Sequence, residues 1–337
     1  MVTTSMFQAP RRSVFASLIV AVITCAYVYC VYSDGTHFTN HRMSPEFDTG
    51  NVVHDFSNAT SDENTTDLIF YNKVGKCGSR TLVYLFRKLA RKNKFVASGQ
   101  SKTPQMSRYM TEHEQAQLVE RISNLPRPAT FYRHTNFIDF RRFGHKNPIY
   151  INVVRRPLNR LVSEYYFKRF GDDKNDTKNF PGEGKYETFD DCVLLNRNEC
   201  LSSSTFIIIP YFCGQVHACR NVSRWALETA KENVIKYFTF VGISEEFEDT
   251  LKLLEIMFPR FFNRALEIYK TPGAIISTKT KGKVPPSPLV EEIMNERLAL
   301  ENEFYEFIKQ RFYSLKAKYG IAPSSSGTNR TASGKKN

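Results

Sequence analysis

The chain opens with a stretch that carries no charge. Between Ser13 and Tyr32 every residue is neutral and most are aliphatic or aromatic, with Arg11 and Arg12 just before it and Asp34 just after. About 20 apolar residues cross a bilayer as a helix, whereas the core of a signal peptide is about 7–15. The pattern therefore predicts a cytoplasmic tail over 1–12 and an uncleaved transmembrane signal anchor over 13–32. Basic residues stay on the cytoplasmic side, which puts all that follows in a lumen, a type II arrangement. Residues 33–66 are polar and poor in aliphatics, the pattern of a luminal stem.

Ordered periodicity begins at Asp67. The apolar run 68–71 reads as a buried strand, and 80–92 carries Leu82, Leu85, Phe86 and Leu89 at helical spacing. Between them lies a glycine-bearing loop, so the segment is the start of a βα unit. Helical patterning follows at 111–124, then strands at 130–133 and 149–154, the latter almost wholly apolar as a central parallel strand is. Pro157 suits the first turn of a helix running to Phe170. A helix at 223–237, a strand at 238–242, a helix at 245–257 and one long amphipathic helix at 287–317 complete the pattern. Strands alternating with helices predict an α/β domain over 67–318 with a mostly parallel sheet and helices on both faces. Residues 319–337 form a tail whose Pro/Ser/Gly/Lys composition, from Pro323 on, predicts disorder. No internal repeat is present.

Composition narrows the function classes. Lys and Arg total 47 against 34 Asp and Glu, a net charge of +13, which favours a polyanionic partner. Nucleic acid, an anionic membrane and a sulfated polysaccharide all fit that charge; a luminal compartment sets nucleic acid aside. Five sequons, at Asn58, Asn64, Asn175, Asn221 and Asn329, agree with a luminal domain. Beyond Cys25 and Cys30 in the anchor, Cys192, Cys200, Cys213 and Cys219 form two local pairs and Cys77 is left over. In an oxidising lumen these read as Cys192–Cys200 and Cys213–Cys219 bridges, although four cysteines allow three pairings. A zinc site is the competing reading; no Cys-x-x-Cys spacing occurs, and only His217 lies among the four.

The chemistry-bearing segment is Gly75-Lys76-Cys77-Gly78-Ser79-Arg80-Thr81, at a strand-to-helix junction. A first helical turn has unpaired N–H groups and a partial positive charge, so an anionic phosphate suits it. Gly75 and Gly78 let the backbone wrap closely, Lys76 adds a charge, and Ser79 and Thr81 add hydroxyls. The alternative is a helix capped by Ser79 with a chance lysine nearby. A Walker A loop is excluded, because Lys76 precedes the second glycine and Arg80 follows Ser79. A short lysine-bearing loop after the first strand is instead the pattern of sulfotransferases. A second anion site is read at Arg155, which closes the apolar strand, with Ser163 about two helical turns on.

The segment 69–81 resembles the phosphosulfate loop of the uronyl 2-O-sulfotransferases, which act on dermatan and chondroitin sulfate and include the insect Pipe branch. Further similar segments are 140–144, 148–155, 166–172, 209–215, 238–246 and 301–305, in order. Heparan sulfate 2-O-sulfotransferases are related, but their loop reads Val-Pro-Lys-Thr where this one reads Val74-Gly75-Lys76-Cys77. The resemblance implies a sulfotransferase-type P-loop-like fold, a Golgi membrane location and 3′-phosphoadenosine 5′-phosphosulfate as co-substrate, with no metal. It implies a cradle for the 5′-phosphosulfate over Gly75 to Thr81, with Lys76 at the transferring group, and a 3′-phosphate pair of Arg155 and Ser163. His134 matches a catalytic base, and Tyr269, Thr280 and Lys283 a nucleotide-capping segment. Two departures stand out. Arg156 replaces the family's usual Asp, and Tyr132 stands where heparan enzymes have a second histidine.

Sulfuryl transfer needs an acceptor hydroxyl, a base for its proton and cations for the leaving phosphate. A neutral imidazole suits the base, its ordinary pKa being about 6.5. Lys73, Arg133, Lys168 and Arg169 are candidate contacts for substrate carboxylates and sulfates. The reading is thus a transferase acting on the 2-hydroxyl of a uronic acid in a glycosaminoglycan, with trimerisation implied by analogy with the heparan enzymes. Its rivals are a heparan or glycoprotein acceptor, a luminal kinase or NTPase, and a non-catalytic glycosaminoglycan-binding protein.

Overall fold

The computed structural model describes residues 67–99, 109–172, 183–271 and 280–322. The expected anchor, stem and tail beyond 322 lie outside them, as do Asn58, Asn64, Asn175 and Asn329. Among the described residues no helix is long and apolar enough to cross a membrane.

The first apolar run is β1, Leu68–Asn72, buried at all five positions. A strand covered on both faces is apolar throughout, and the sheet centre is where that happens. Phe70 packs against Phe131, Phe140 and Tyr150 with ring centroids 5.7, 6.0 and 5.3 Å away. Each such side chain contributes about 1.5–3 kcal/mol by leaving water. The loop 73–78 leads into α1, Ser79–Asn93, which buries Leu82, Leu85, Phe86 and Leu89. Next come β2, Val96–Gly99, then α2, Glu112–Ser123, opened by a Thr111/Glu114 capping box. After β3, Ala129–Arg133, the chain makes a 3₁₀ turn at Phe140–Phe143 and enters β4, Ile149–Val154. Pro157 opens α3, Pro157–Phe170, as its fixed φ favours.

Three short helices follow: α4, Phe189–Leu194, α5, Ser202–Thr205, and α6, Ile208–Cys213. Then come α7, Arg224–Tyr237, and β5, Phe238–Ile243. The remaining helices are α8, Phe247–Met257, α9, Pro259–Phe262, α10, Ala265–Lys270, α11, Pro288–Arg297, and α12, Ala299–Lys318. The five strands lie in the order β2-β3-β1-β4-β5, all parallel. Helices flank the sheet in two groups: α1 packs with α9 and α10, which in turn pack with α8, while α6, α7 and α12 pack together and α12 reaches β5. The strand order reverses between β1 and β4. In an open parallel sheet that reversal splays the loops at the carboxyl ends and leaves a crevice there.

Besides the short helices α4, α5, α6, α9 and α10, which the pattern does not predict, sequence and structure differ in three places. The expected single helix over 287–317 is two, meeting at Leu298. Val290, Met294 and Leu298 bury into a satellite core with Leu161, Tyr165 and Phe189, whereas Phe304, Ile308 and Phe312 join the main one. Two cores require two helix directions. The strand β2 escapes the pattern because Val-Ala-Ser-Gly at a sheet edge has no apolar run. Residues 244–246 form a 3₁₀ turn ahead of α8 rather than its first turn. The cysteines are paired Cys192–Cys200, in the satellite core, and Cys213–Cys219, in the main one. Asn221 of the remaining sequon is exposed.

Candidate active site

The carboxyl ends of β1, β3, β4 and β5 open onto one cavity of about 720 Å³. Lys73, Gly75, Lys76, Gly78, Ser79, Arg80 and Thr81 line it from the first loop, and His134, Arg155 and Ser163 from the strand ends and helix opposite. Among the lining side chains six are Lys or Arg and two, Glu164 and Glu245, are acidic. The field inside therefore favours anions.

Two residues of the first loop are held in the left-handed region, Lys76 at φ 63° and Gly78 at φ 76°. A non-glycine residue there costs about 1–3 kcal/mol and persists only where its surroundings impose it. Gly78 is the N-cap of α1, whose first turn has no acidic residue, and Gly78, Ser79, Arg80 and Thr81 all line the cavity at this positive helix end. The Lys76 ammonium donates to Thr280 Oγ1 at 3.2 Å and sits 3.8 Å from the Phe167 ring centroid. Burial, and then the charge of Arg80, lower its pKa to about 8. Arg80 is ion-paired with Asp172. Cys77 turns the other way: its side chain is fully buried, its thiol donates to the Gly75 carbonyl at 3.6 Å, and burial pushes its pKa up to about 12. Cys77 as a whole is buried and does not line the cavity, so the expected donor contact at this position falls to its neighbours Lys76 and Gly78.

His134 follows β3 directly. Its Nδ1 lies 2.9 Å from the Lys73 carbonyl, which only accepts, so Nδ1 carries the hydrogen and Nε2 keeps a lone pair. A Cβ placed on Gly75 would lie 4.0 Å from His134 Cε1, so the histidine and the first loop are within contact of each other. The ring is exposed to the cavity but hemmed by protein elsewhere. That desolvation, reinforced by the Lys73 charge, lowers its pKa to about 4. Lys73 itself is buried, which brings its pKa to about 8, and its ammonium lies 5.5 Å from the Tyr132 ring centroid.

Arg155 leaves β4 and donates to the Lys76 carbonyl at 3.3 Å, tying the loops after β1 and β4 together. Ser163 Oγ lies 3.3 Å from Thr280 Oγ1, so Lys76, Ser163 and Thr280 form one polar cluster. Tyr269 lines the cavity, its ring paired with Phe247 at 5.3 Å. Lys283 is exposed and is not among the residues lining the cavity; partial desolvation, followed by the charge of Arg155, lowers its pKa. Arg156, in place of an expected acid, contributes its backbone N–H to Glu245 Oε1 at 2.8 Å.

Two expected contacts do not reach the cavity. Arg169 is 1% exposed, ion-paired with Glu199 and stacked on Tyr165, because a step of about 100° from Lys168 turns it into the satellite core. Arg133 is buried near Glu114, as strand alternation places it opposite His134. Lys168 does line the cavity, paired with Glu164 at 3.4 Å. Unanticipated lining comes from Asn159, Arg160, Glu164 and Phe167 on α3, from Ile207 and Tyr211, and from Ser244, Glu245 and Phe247. The α3 group was visible as two stripes at i, i+4, i+8, 159-163-167 and 160-164-168. Among the described residues no group of three or more His, Cys, Asp or Glu is placed to hold a metal ion.

The sequence model of the Sulfotransferase family matches residues 60–307. Uronyl 2-sulfotransferase of Homo sapiens is 42% identical over 267 residues, 75% of this chain and 64% of that protein. Its Mus musculus counterpart is 41% identical over 273 residues, 77% of this chain and 65% of that protein. Heparan sulfate 2-O-sulfotransferase 1 of Homo sapiens is 37% identical over 265 residues, 77% of this chain and 74% of that protein. The match thus spans slightly less than two thirds of the uronyl 2-sulfotransferases.

Proposed function

This chain belongs to the sulfotransferase family, and from that premise we propose that it transfers the sulfuryl group of 3′-phosphoadenosine 5′-phosphosulfate to the 2-hydroxyl of a uronic acid residue in a glycosaminoglycan, dermatan or chondroitin sulfate in preference to heparan sulfate. The observation that carries the reading is the meeting of a lysine-bearing loop, a base and an arginine–serine pair on one cavity. The fold is read as the P-loop-like sulfotransferase type. The run 13–32 and the oxidised cysteine pairs support a type II protein of the Golgi membrane.

In this reading the loop from Gly75 to Thr81 and the first turn of α1 hold the 5′-phosphosulfate, and Arg155 with Ser163 holds the 3′-phosphate. His134 Nε2 takes the proton of the acceptor 2-hydroxyl as that oxygen bonds to sulfur. The bond from sulfur to the bridging phosphate oxygen breaks, the oxygen keeps the electron pair, and Lys76 and the helix N–H groups stabilise its charge. Lys73 and Lys168 face the acceptor's anionic groups.

The test is incubation of the purified full chain with labelled donor and separate chondroitin, dermatan and heparan acceptors, followed by disaccharide analysis. Label in 2-sulfated uronate from dermatan or chondroitin is the expected result. Exclusive labelling of heparan would move the specificity to the related class, and binding of donor with no transfer to any polymer would sink the reading.

The loop's backbone supplies a second expectation. Gly78→Ala places a Cβ at positive φ and 3.1 Å from the Phe247 ring. The left-handed conformation alone costs an alanine about 1–2 kcal/mol, and Phe247 must give way. Affinity for adenosine 3′,5′-bisphosphate, measured by calorimetry, should fall by about tenfold or more, since about 1.4 kcal/mol is a factor of ten. Unchanged affinity would show that the cradle does not depend on this backbone.

A further inference from the structure

We propose that Glu301 is a positioning residue for acceptor recognition: from the last helix it fixes the cavity wall formed by Ile207 and Tyr211. The inference rests on the sulfotransferase reading above. Glu301 is 3% exposed on α12. Its Oε1 accepts from the backbone N–H of Ile207 at 2.9 Å and of Ile209 at 3.1 Å, and its Oε2 from Ile208 at 2.9 Å. These are orphan donors at the start of α6. An apolar side chain would be enough to pack two helices together, and a buried carboxylate is costly unless fully hydrogen-bonded. Here it is bonded to the segment whose residues Ile207 and Tyr211 line the cavity.

That segment is itself stitched to the reacting groups. The Tyr211 carbonyl accepts from Phe137 N at 2.9 Å and from Asn72 Nδ2 at 3.0 Å. Asn136 Nδ2 donates to the Gly214 carbonyl at 3.0 Å, and Gln215 Nε2 to the Asn136 carbonyl at 3.2 Å. Residues 207–215 therefore brace the stretch just after His134 and the strand end just before Lys73. None of these bonds reaches the arginine–serine pair. The titratable groups acting on Glu301 and its neighbourhood are Arg160 of α3, which also holds the cavity's Glu164, and the Cys77 thiol. Burial raises the Glu301 pKa to about 7 against the opposing pull of the three N–H groups and Arg160. The ionised carboxylate accepts all three donors; the protonated one has lost part of that capacity. The wall is then firm above about pH 7 and loosens as pH falls through that value.

The test measures, on the detergent-solubilised full chain, the Kd of a chondroitin or dermatan sulfate oligosaccharide, the Kd of adenosine 3′,5′-bisphosphate, and kcat. Glu301→Gln should raise the oligosaccharide Kd tenfold or more and leave the nucleotide Kd within twofold, with Glu301→Asp intermediate. In the wild type the oligosaccharide Kd should rise severalfold from pH 7.5 to 5.5, a rise that Glu301→Gln abolishes. Parallel loss of both affinities would mean a merely structural residue and overturn the proposal. An unchanged oligosaccharide Kd would do the same. If Glu301→Gln fails to fold, the wild-type pH series decides, and a flat series is the overturning result. Because both constants are binding constants, a wild type that binds but never transfers would count against the proposed reaction and leave this inference still readable.

Discussion

Replacing His134 with alanine should abolish most turnover in a protein that still folds and still binds nucleotide. A positioned general base contributes about 10²–10⁴-fold in rate, and that factor is the expected loss in kcat. The ring's Nδ1 is committed to the Lys73 carbonyl, so its removal sacrifices one hydrogen bond and leaves the loop's contacts through Arg155 and Thr280 in place. Melting temperature and adenosine 3′,5′-bisphosphate affinity, taken on the same preparation, should therefore stay near wild type. The pH profile adds a sign. Imidazole must be neutral to accept a proton, so kcat/KM falls as pH drops through the free enzyme's His134 pKa of about 4. Lys73→Met removes a cation that holds this value down, and should move the acid limb upward. Near-normal turnover in folded His134→Ala would take this residue out of the mechanism. The buried Tyr132, whose hydroxyl accepts from Arg87 Nε at 3.1 Å, is poorly placed to replace it.

Lys76→Ala and Arg155→Ala should fail in different ways. In the proposed reading Arg155 meets a phosphate that is unchanged by the reaction, so its loss should weaken ground-state binding of donor and product nucleotide alike. Lys76 lies in the loop expected to hold the transferring group, where charge grows on the leaving oxygen, so its loss should lower kcat more than donor affinity. An effect of about 10²–10³-fold on kcat is in the range for removing one donor aimed at developing charge. The wild type carries a matching pH signature. Lys76 is protonated below its pKa of about 8, and anionic donor binds the protonated form better. Affinity should thus be full below about pH 8 and decline above it, and Lys76→Ala should flatten that decline. Equal losses of donor affinity in the two variants, with kcat spared, would show that Lys76 is a ground-state contact only.

What the sequence disclosed about this site was what is local in the chain. A buried strand, two glycines and a helix start are contiguous, so Lys76 and its loop could be read directly, and Arg155 likewise from an apolar strand ended by arginines and Pro157. His134 needed the family resemblance, since a histidine after a strand carries no signal of its own. Ile207, Tyr211 and Glu245 reach the cavity only because distant segments pack there, Glu301 lying 94 residues from the first amide it holds. Adjacent charges misled for the converse reason. Lys168 and Arg169 look alike in a string of letters, and helix rotation sends one to the cavity and the other into a core. Tertiary packing also broke the long helix at Leu298, where two separate cores compete for one amphipathic stripe.

The inward turn of Cys77 divides the loop after β1 into two sides with different tolerance of substitution. Its neighbour Lys76 faces the cavity and is bound there by charge, so few replacements preserve what it does. Cys77 fills a small pocket in the core and offers one weak donor to the Gly75 carbonyl. A threonine has nearly the same bulk and a hydroxyl able to make the same bond, so it should leave the chain path around Lys76 unchanged. Exchange of Cys77 for threonine should then go unnoticed by an anionic ligand in the cavity, and the thiol is shielded from oxidation because it is out of reach.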